Sequence, residues 1–421
     1  MIAGGRQRSG LRLLFVAFAD SIHTARWTAQ LTGLGWDLHV FAVTHKPPCP
    51  ELQGVTVHRL VESPRSRSSV SQQAIRWPLS RGETRLTQLL ERTEYYSPAS
   101  RLARVIEAVE PDIVHSMEMQ NAAYLTLEAR RRMRTPFPTW IYSCWGSDIY
   151  HFGGQSEHEP RIRDVLTHCD YMFADCRRDV LLAREFGFVG EVLGVYPGGG
   201  GFDLAKARAM RQPGSVASRR VIAIKGYNGG PLESRGLIAI EALRSCAAQL
   251  AGYEVVVYSA APEVSAAVTN LQRDFRIRVS VKPAARHAEV LRLMGQSRVA
   301  IGLGLSDGSP NTMLESMIMG AFPIQSDTIS TREWITSGGN GFLVPPESPE
   351  DVAVAIRRAL AEDELVEHAA EANAQIADEK LERERIRDEV RSLYKRVVMF
   401  KQRGRHEEMA ARQTSPRAGL R

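Results

Sequence analysis

Two carboxylates, Asp307 and Glu315, stand with seven residues between them, one in a turn and one in the helix that the turn is predicted to begin. The turn follows an apolar strand, Ser309 is expected to cap the helix, and Pro310 suits its first turn. Amides at such a helix N-terminus bind anions, and carboxylates bind vicinal sugar hydroxyls. The stretch therefore predicts a site for a phosphorylated sugar, built from Asp307, Gly308, Ser309, Pro310, Asn311, Thr312 and Glu315.

The helix after this turn has an apolar stripe, formed by Leu314, Met317, Ile318 and Ala321. Glu315 falls off the stripe, so it need not be buried with it. The alternative interpretation of the pair is a turn aspartate and an exposed helix glutamate with no shared role.

The elements that must hold these residues alternate along the chain as strand and helix, first over 11–195 and again from 221. This rhythm predicts an α/β protein with two doubly wound parallel sheets and a cleft between them. We predict disorder in 1–10, a first domain over 11–200, a linker over 201–219 and a second domain over 220–385. A helix over 386–400 and a disordered basic tail over 401–421 complete the division.

The composition is that of a soluble globular protein, with 421 residues and a formal net charge of +6. Its five widely spaced cysteines predict a reducing, cytoplasmic location, and no early apolar run is long enough to span a bilayer. No nucleic-acid-binding signature is present, and neither Asp-x-Asp nor a His/Cys cluster indicates a metal. We expect no cofactor.

An arginine-rich segment over 64–104 allows two interpretations. It is a solvated loop with an amphipathic helix, or it is a surface for the anionic inner face of the cell membrane and for a lipid-linked acceptor.

The run SDGSPNTMLESMIMGAFPIQSD, followed by REWI and GGNGFLVPPESPEDVAVAI, resembles the donor-binding half of a large family of retaining glycosyltransferases. That family, glycosyltransferase family 4-like or group 1, includes bacterial surface-polysaccharide and sucrose-phosphate synthase enzymes. The resemblance is strong over 221–360 and weaker over 11–196. It implies the GT-B fold, in which two Rossmann-like domains face each other, the first for the acceptor and the second for a nucleotide-sugar.

The resemblance also implies roles for residues. Asp307 would contact the transferred sugar, although the family usually has Glu there, and Glu315 would bind the ribose. Lys225 and Arg235 would neutralise the diphosphate, with the alternative that each is a surface cation. The turn after Lys225 lacks the Gly-Lys-Ser/Thr of a Walker loop, which argues against a kinase.

In the first half, a family histidine is missing from the loop Cys144–Asp148, and Asp148 is our substitute for a sugar contact. His23, in the first strand-to-helix turn, is expected to face the cleft. The alternatives are a helix-capping role for Asp148 and a capping or core role for His23, while His115 is expected to be structural.

The resemblance thus implies a metal-independent retaining transferase in polysaccharide biosynthesis, using a UDP- or GDP-sugar and a glycan or lipid-linked acceptor. Two alternatives remain: a sugar-nucleotide epimerase or phosphorylase of the same fold, and a catalytically inactive partner of another transferase. An epimerase would turn over the donor with no acceptor, and a phosphorylase would carry a lysine-bound pyridoxal group.

Overall fold

The computed structural model describes residues 10–60, 97–229, 234–282 and 286–414. Residues 1–9, residues 64–96 of the arginine-rich segment over 64–104, and residues 415–421 lie outside these ranges, and so do our expectations for them. Among the described residues, no helix combines the length and the apolar character needed to cross a membrane.

The first half of the chain forms a seven-stranded sheet with the order β3-β2-β1-β4-β5-β6-β7, and every neighbouring pair is parallel. The order reverses at β1, which lies between β2 and β4. Its strands are β1 (Arg12–Ala17), β2 (Asp37–Ala42), β3 (Thr56–His58), β4 (Ile113–Met117), β5 (Thr139–Ser143), β6 (Tyr171–Ala174) and β7 (Glu191–Val195).

The second half repeats this plan in a six-stranded parallel sheet with the order β10-β9-β8-β11-β12-β13. Here the order reverses at β8, which lies between β9 and β11. Ligands of open α/β sheets bind at such reversal points, beyond the carboxyl ends of the strands. The strands are β8 (Val221–Lys225), β9 (Glu254–Tyr258), β10 (Arg278–Lys282), β11 (Ser297–Gly302), β12 (Phe322–Ser326) and β13 (Phe342–Val344).

The helices lie between the strands, as parallel pairing requires. Those of the first half are α1 (Ile22–Ala29), α2 (Pro98–Val109), α3 (Tyr124–Arg132), α4 (Ser147–Tyr150), α5 (Glu159–His168) and α6 (Arg177–Glu185). The connection to the second half contains α7 (Leu204–Arg208), where we predicted a plain linker. The second half adds α8 (Gly236–Ser245), α9 (Pro262–Asp274), α10 (His287–Gln296), α11 (Asn311–Met319), α12 (Pro349–Ala361), α13 (Asp363–Lys380) and α14 (Arg383–Thr414). Together these elements confirm the predicted fold class.

The last helix, α14, returns to the first half of the chain. Val390, Tyr394 and Val397 are buried in the core of the first sheet. The Tyr394 hydroxyl accepts from Trp27 Nε1 at 3.0 Å and lies 2.6 Å from His115 Nδ1. The helix begins before the predicted residue 386 and continues beyond the predicted residue 400, because strong helix formers follow Phe400 with one glycine among them.

Candidate functional site

A cavity of about 450 Å³ lies at the point where the second sheet reverses its strand order. The carboxyl ends of β8, β9 and β11 meet here, because parallel strands end at the same edge. Its lining combines a lysine, an aspartate, two serines, an asparagine and a tyrosine with small residues: Lys225, Tyr227, Asn228, Ser234, Ser259, Ala260, Ala261, Gly304 and Asp307. The structure thus brings together Lys225 and Asp307, which are far apart in the sequence.

Asp307 is fixed by its backbone, and its side chain points to the cavity. Its carbonyl oxygen accepts from Ser330 Oγ at 2.9 Å. A Cβ placed on Gly304 would lie 3.2 Å from Asp307 Oδ2, so the missing side chain at 304 leaves the carboxylate accessible. An accessible carboxylate of this kind can accept hydrogen bonds from sugar hydroxyls.

Glu315 is buried although it lies off the predicted apolar stripe, because α11 is buried on every side and not along one stripe. The helix packs against α10, α13 and α7. His287 Nε2 lies 2.7 Å from Glu315 Oε1, and the imidazole is much more exposed than the carboxylate. One carboxylate oxygen is therefore engaged, and Oε2 has no protein partner among the described residues.

The start of α11 is used partly for contact with the other domain. Ser309 N donates to Asp175 Oδ2 at 3.0 Å, and Ser309 Oγ donates to the Asp175 carbonyl at 2.8 Å. Pro310, not Ser309, occupies the N-cap position, so our capping prediction is wrong. The Ser309 amide already has an acceptor, whereas the amides of Asn311 and Thr312 are free donors at this helix start.

The two domains also touch through Gly146 and Gly308. A Cβ on Gly146 would lie 2.1 Å from the Gly308 amide, and one on Gly308 would lie 2.7 Å from Asp175 Oδ2. The Arg178 guanidinium links both loops, since Nη2 donates to the carbonyls of Gly146 and Ser306 at 2.9 and 3.3 Å. Glycine is required at both positions because any side chain would separate the loops.

Asp148 lies inside the first domain and not on the cleft surface. Its Oδ2 accepts from Met119 N and from the Tyr142 hydroxyl, both at 3.0 Å, and only 2 % of the residue is exposed. Burial, with the nearby carboxylate of Glu118, raises its pKa well above the usual range. This placement does not support a direct sugar contact, because the carboxyl group is enclosed and bonded to its own domain; it is also not the N-cap of α4, which is Gly146.

His23 lies in the first domain, in the first turn of α1. Its ring stands 5.5 Å from the Trp145 ring, and its Nδ1 is buried without a hydrogen-bond partner. Burial and Arg26 lower the pKa of His23, while the negative charges of Asp307 and Glu315 raise it. The charges of both predicted carboxylates therefore act on His23 across the domain boundary.

The two predicted phosphate ligands differ in their surroundings. Lys225 lines the cavity, with Nζ 4.6 Å from the centroid of the Tyr227 ring. Arg235 does not line it: its Nε donates to Glu347 Oε1 at 2.6 Å, and its Nη1 donates to the Gly229 carbonyl at 3.1 Å. The pairing with Glu347 makes Arg235 a weaker candidate for the diphosphate than Lys225.

Three residues near this site were missed from the sequence. Arg26 shares a face of α1 with His23 because the two are three residues apart. This spacing could have identified Arg26 from the sequence once His23 was expected to face the cleft. Asp175 directly follows β6, at the edge of the first sheet where ligands bind. That position was the one sequence feature that could have indicated a functional role for it. His287 begins α10 and nothing in its surroundings indicated a contact with Glu315.

Among residues 10–60, 97–229, 234–282 and 286–414, no group of three or more His, Cys, Asp or Glu side chains could hold a metal ion.

The first domain matches the family described as Glycosyl transferase 4-like over residues 12–175. The second matches the family described as Glycosyl transferases group 1 over residues 234–362. Both halves of the chain belong to glycosyltransferase families. No curated protein matches this sequence at a significant level.

Several solved structures share the fold of this chain. Sucrose-phosphate synthase from Thermosynechococcus elongatus is 15% identical with a TM-score of 0.66, over 92% of this chain and 99% of that one. HepE of Anabaena, solved with UDP and glucose, is 15% identical with a TM-score of 0.65, over 91% of this chain and 99% of that one. A glycosyltransferase from Rickettsia africae is 13% identical with a TM-score of 0.63, over 93% and 99%. At these identities the likeness shows the fold alone, which is GT-B.

Proposed function

We propose that this glycosyltransferase moves a sugar, with retention at the anomeric carbon, from a UDP- or GDP-sugar to a glycan or lipid-linked acceptor. The observation that carries the proposal is the cavity at the reversal point of the second sheet, where Lys225 and Asp307 converge. HepE, which has the same fold, was solved with UDP and glucose, and this supports a nucleotide-sugar as the donor.

The donor's diphosphate belongs beside Lys225 and the free amides of Asn311 and Thr312. A cation and a helix N-terminus together stabilise the negative charge that develops on a departing phosphate. The Lys225 ammonium lies in the cavity itself, whereas Arg235 is paired with Glu347. In this proposal Lys225 supplies the main positive charge.

The two carboxylates take different hydroxyls of the donor. Asp307 lines the cavity and accepts from the sugar being transferred. Glu315 is buried, and His287 engages its Oε1, so Oε2 remains for a ribose hydroxyl. A buried carboxylate with a fixed orientation binds a hydroxyl pair more selectively than an exposed one, because its geometry is set before binding.

The test is a thermal-shift screen of the full chain against UDP, GDP, ADP and their sugars, followed by turnover with the sugar that binds. Glu315→Ala is expected to abolish donor binding or turnover, and Glu362→Gln, which removes a surface partner of Arg358, serves as the control. Wild-type turnover by Glu315→Ala with every active donor would overturn the assignment.

The same assay separates the alternatives. Loss of donor with isomerisation and no acceptor would identify an epimerase. Nucleotide binding without turnover on any acceptor would identify an inactive partner.

A further inference from the structure

Arg26 faces the cleft from α1 without an acidic partner. Among the described residues it makes no hydrogen bond and no ion pair, although its guanidinium is partly buried and lies 6.0 Å from the centroid of the Phe202 ring. Burial lowers its pKa, and Glu315 across the domain boundary and Glu51 raise it. Partly buried arginines are usually paired, since loss of hydration must be offset.

The loop over 197–201 packs directly on this arginine. A Cβ on Gly199 would lie 3.3 Å from Arg26 Cδ, 3.7 Å from Arg26 Nη1 and 3.9 Å from His23 Nδ1. The neighbouring amides are engaged, because Gly198 N donates to Asp175 Oδ1 at 3.0 Å and Gly200 N donates to the Pro197 carbonyl at 2.7 Å. The Gly199 amide has no acceptor among the described residues, so it is a free donor beside the guanidinium.

Further polar groups at this place lack partners. His23 Nδ1 is buried and has no hydrogen-bond partner. The side-chain nitrogen and oxygen of Gln30, four residues after Arg26, are also buried without partners, and only 3 % of Gln30 is exposed. A Cβ on Gly200, which has a φ of +71°, would meet Gln30 Nε2 at 1.8 Å. Buried polar groups are nearly always bonded, so several unbonded ones around one cation indicate that a ligand completes the site.

We propose that the Arg26 guanidinium and the Gly199 amide, with His23 beside them, bind an oxyanion group of the acceptor. The acceptor would therefore be a phosphorylated or carboxylated glycan or lipid-linked sugar. This proposal rests on the proposed function. It assigns the anion to the acceptor because Arg26 belongs to the first domain, while the donor's phosphates are assigned to Lys225 in the second.

Calorimetric titration of the full chain, with and without UDP, tests the site directly. The probes are glucose 6-phosphate for the phosphate class, glucuronate for the carboxylate class and glucose as the neutral control. One of the two anionic sugars is expected to bind more tightly than glucose. Arg26→Gln is expected to weaken that binding about 10- to 100-fold, the usual range for a hydrogen bond to a charged group.

Two further variants distinguish loss of the site from misfolding of the chain. Gly199→Ala keeps every charge but places a methyl group against Arg26, and it is expected to weaken the same probe. Arg273→Gln, on an exposed arginine at the end of α9, is the matched control and is expected to change nothing.

Equal binding of glucose and both anionic sugars would overturn the proposal. A loss of UDP affinity in Arg26→Gln, with the anionic sugars unaffected, would also overturn it, because the cation would then serve the donor. If no nucleotide or nucleotide-sugar binds, the proposed function fails, while the titrations without UDP still report on Arg26.

Discussion

The carboxyl group of Asp175 is expected to make the stability of the chain depend on pH. Both of its oxygens accept amides, one from Gly198 in its own domain and one from Ser309 in the other. Burial outweighs these bonds and raises its pKa to about 8, and the charges of Asp179 and Asp307 act in the same direction. In the unfolded chain the same group has its usual pKa near 3.8.

The direction of the pH dependence is set by the number of protons that the folded and unfolded chains bind. Between about pH 4 and pH 8 the folded chain holds a proton on Asp175 that the unfolded chain has released, so the free energy of unfolding falls as pH rises. The stabilisation is complete below pH 4 and is lost through pH 8. A single proton changes this free energy by at most about 1.4 kcal/mol per pH unit, which gives roughly 3 kcal/mol between pH 5 and pH 7.

Asp175→Asn removes the titration while keeping the size of the side chain. It loses one of the two amide bonds and is expected to melt below the wild type at pH 5. Between pH 5 and pH 7 the melting temperature of the wild type should fall relative to that of Asp175→Asn by about 5 °C or more, since 1 kcal/mol shifts the melting temperature by about 2 °C. The gap between the two proteins should therefore shrink or reverse at pH 7. Asp378→Asn, which removes a surface partner of Arg208, is the control. A difference between Asp175→Asn and wild type that is constant from pH 5 to pH 7.5 would refute the reasoning.

Three other changes test the site and the fold. Lys225→Met should lower turnover about 10²- to 10³-fold with a smaller effect on folding, measured by steady-state kinetics and melting; an unchanged kcat would exclude it as the phosphate cation. His287→Ala should leave Glu315 without its partner and raise the donor KM about tenfold, with kcat less affected; an equal fall of kcat with unchanged KM would contradict this positioning role. Tyr394→Phe should remove the bonds to Trp27 and His115 and destabilise the chain by about 1–3 kcal/mol in urea unfolding; unchanged stability would contradict a structural role for this hydroxyl.

The sequence was sufficient for the architecture because strand and helix periodicities are local properties. The alternation of strand and helix over 11–195 and again from 221 predicted two parallel sheets, and the turn at Asp307 predicted the edge at which a ligand binds. The structure has both sheets, and the cavity lies at that edge. What was predicted well depended on neighbours in sequence.

What was missed depended on contacts between distant residues. Ser309 resembles a helix cap in its local sequence, yet its hydroxyl and its amide bind Asp175, 134 positions away. Glu315 falls off the local apolar stripe, yet the surrounding helices and His287 enclose it. Asp148 stands in a loop at the ligand edge, yet its side chain turns into its own domain. No pattern within one element contains this information.

The contact between Asp175 and Ser309 links the domain boundary to the donor site. Ser309 directly precedes Pro310, the N-cap residue of α11. This helix carries Asn311 and Thr312, whose amides we assign to the donor, and also Glu315. A helix moves as a body, because its backbone hydrogen bonds are made within it. Any separation of Ser309 from Asp175 must therefore shift these amides relative to His23 and the first domain. Asp175 lies outside the donor cavity, but its protonation acts on the element that carries half of the proposed site, so domain contact and donor binding should respond together to pH.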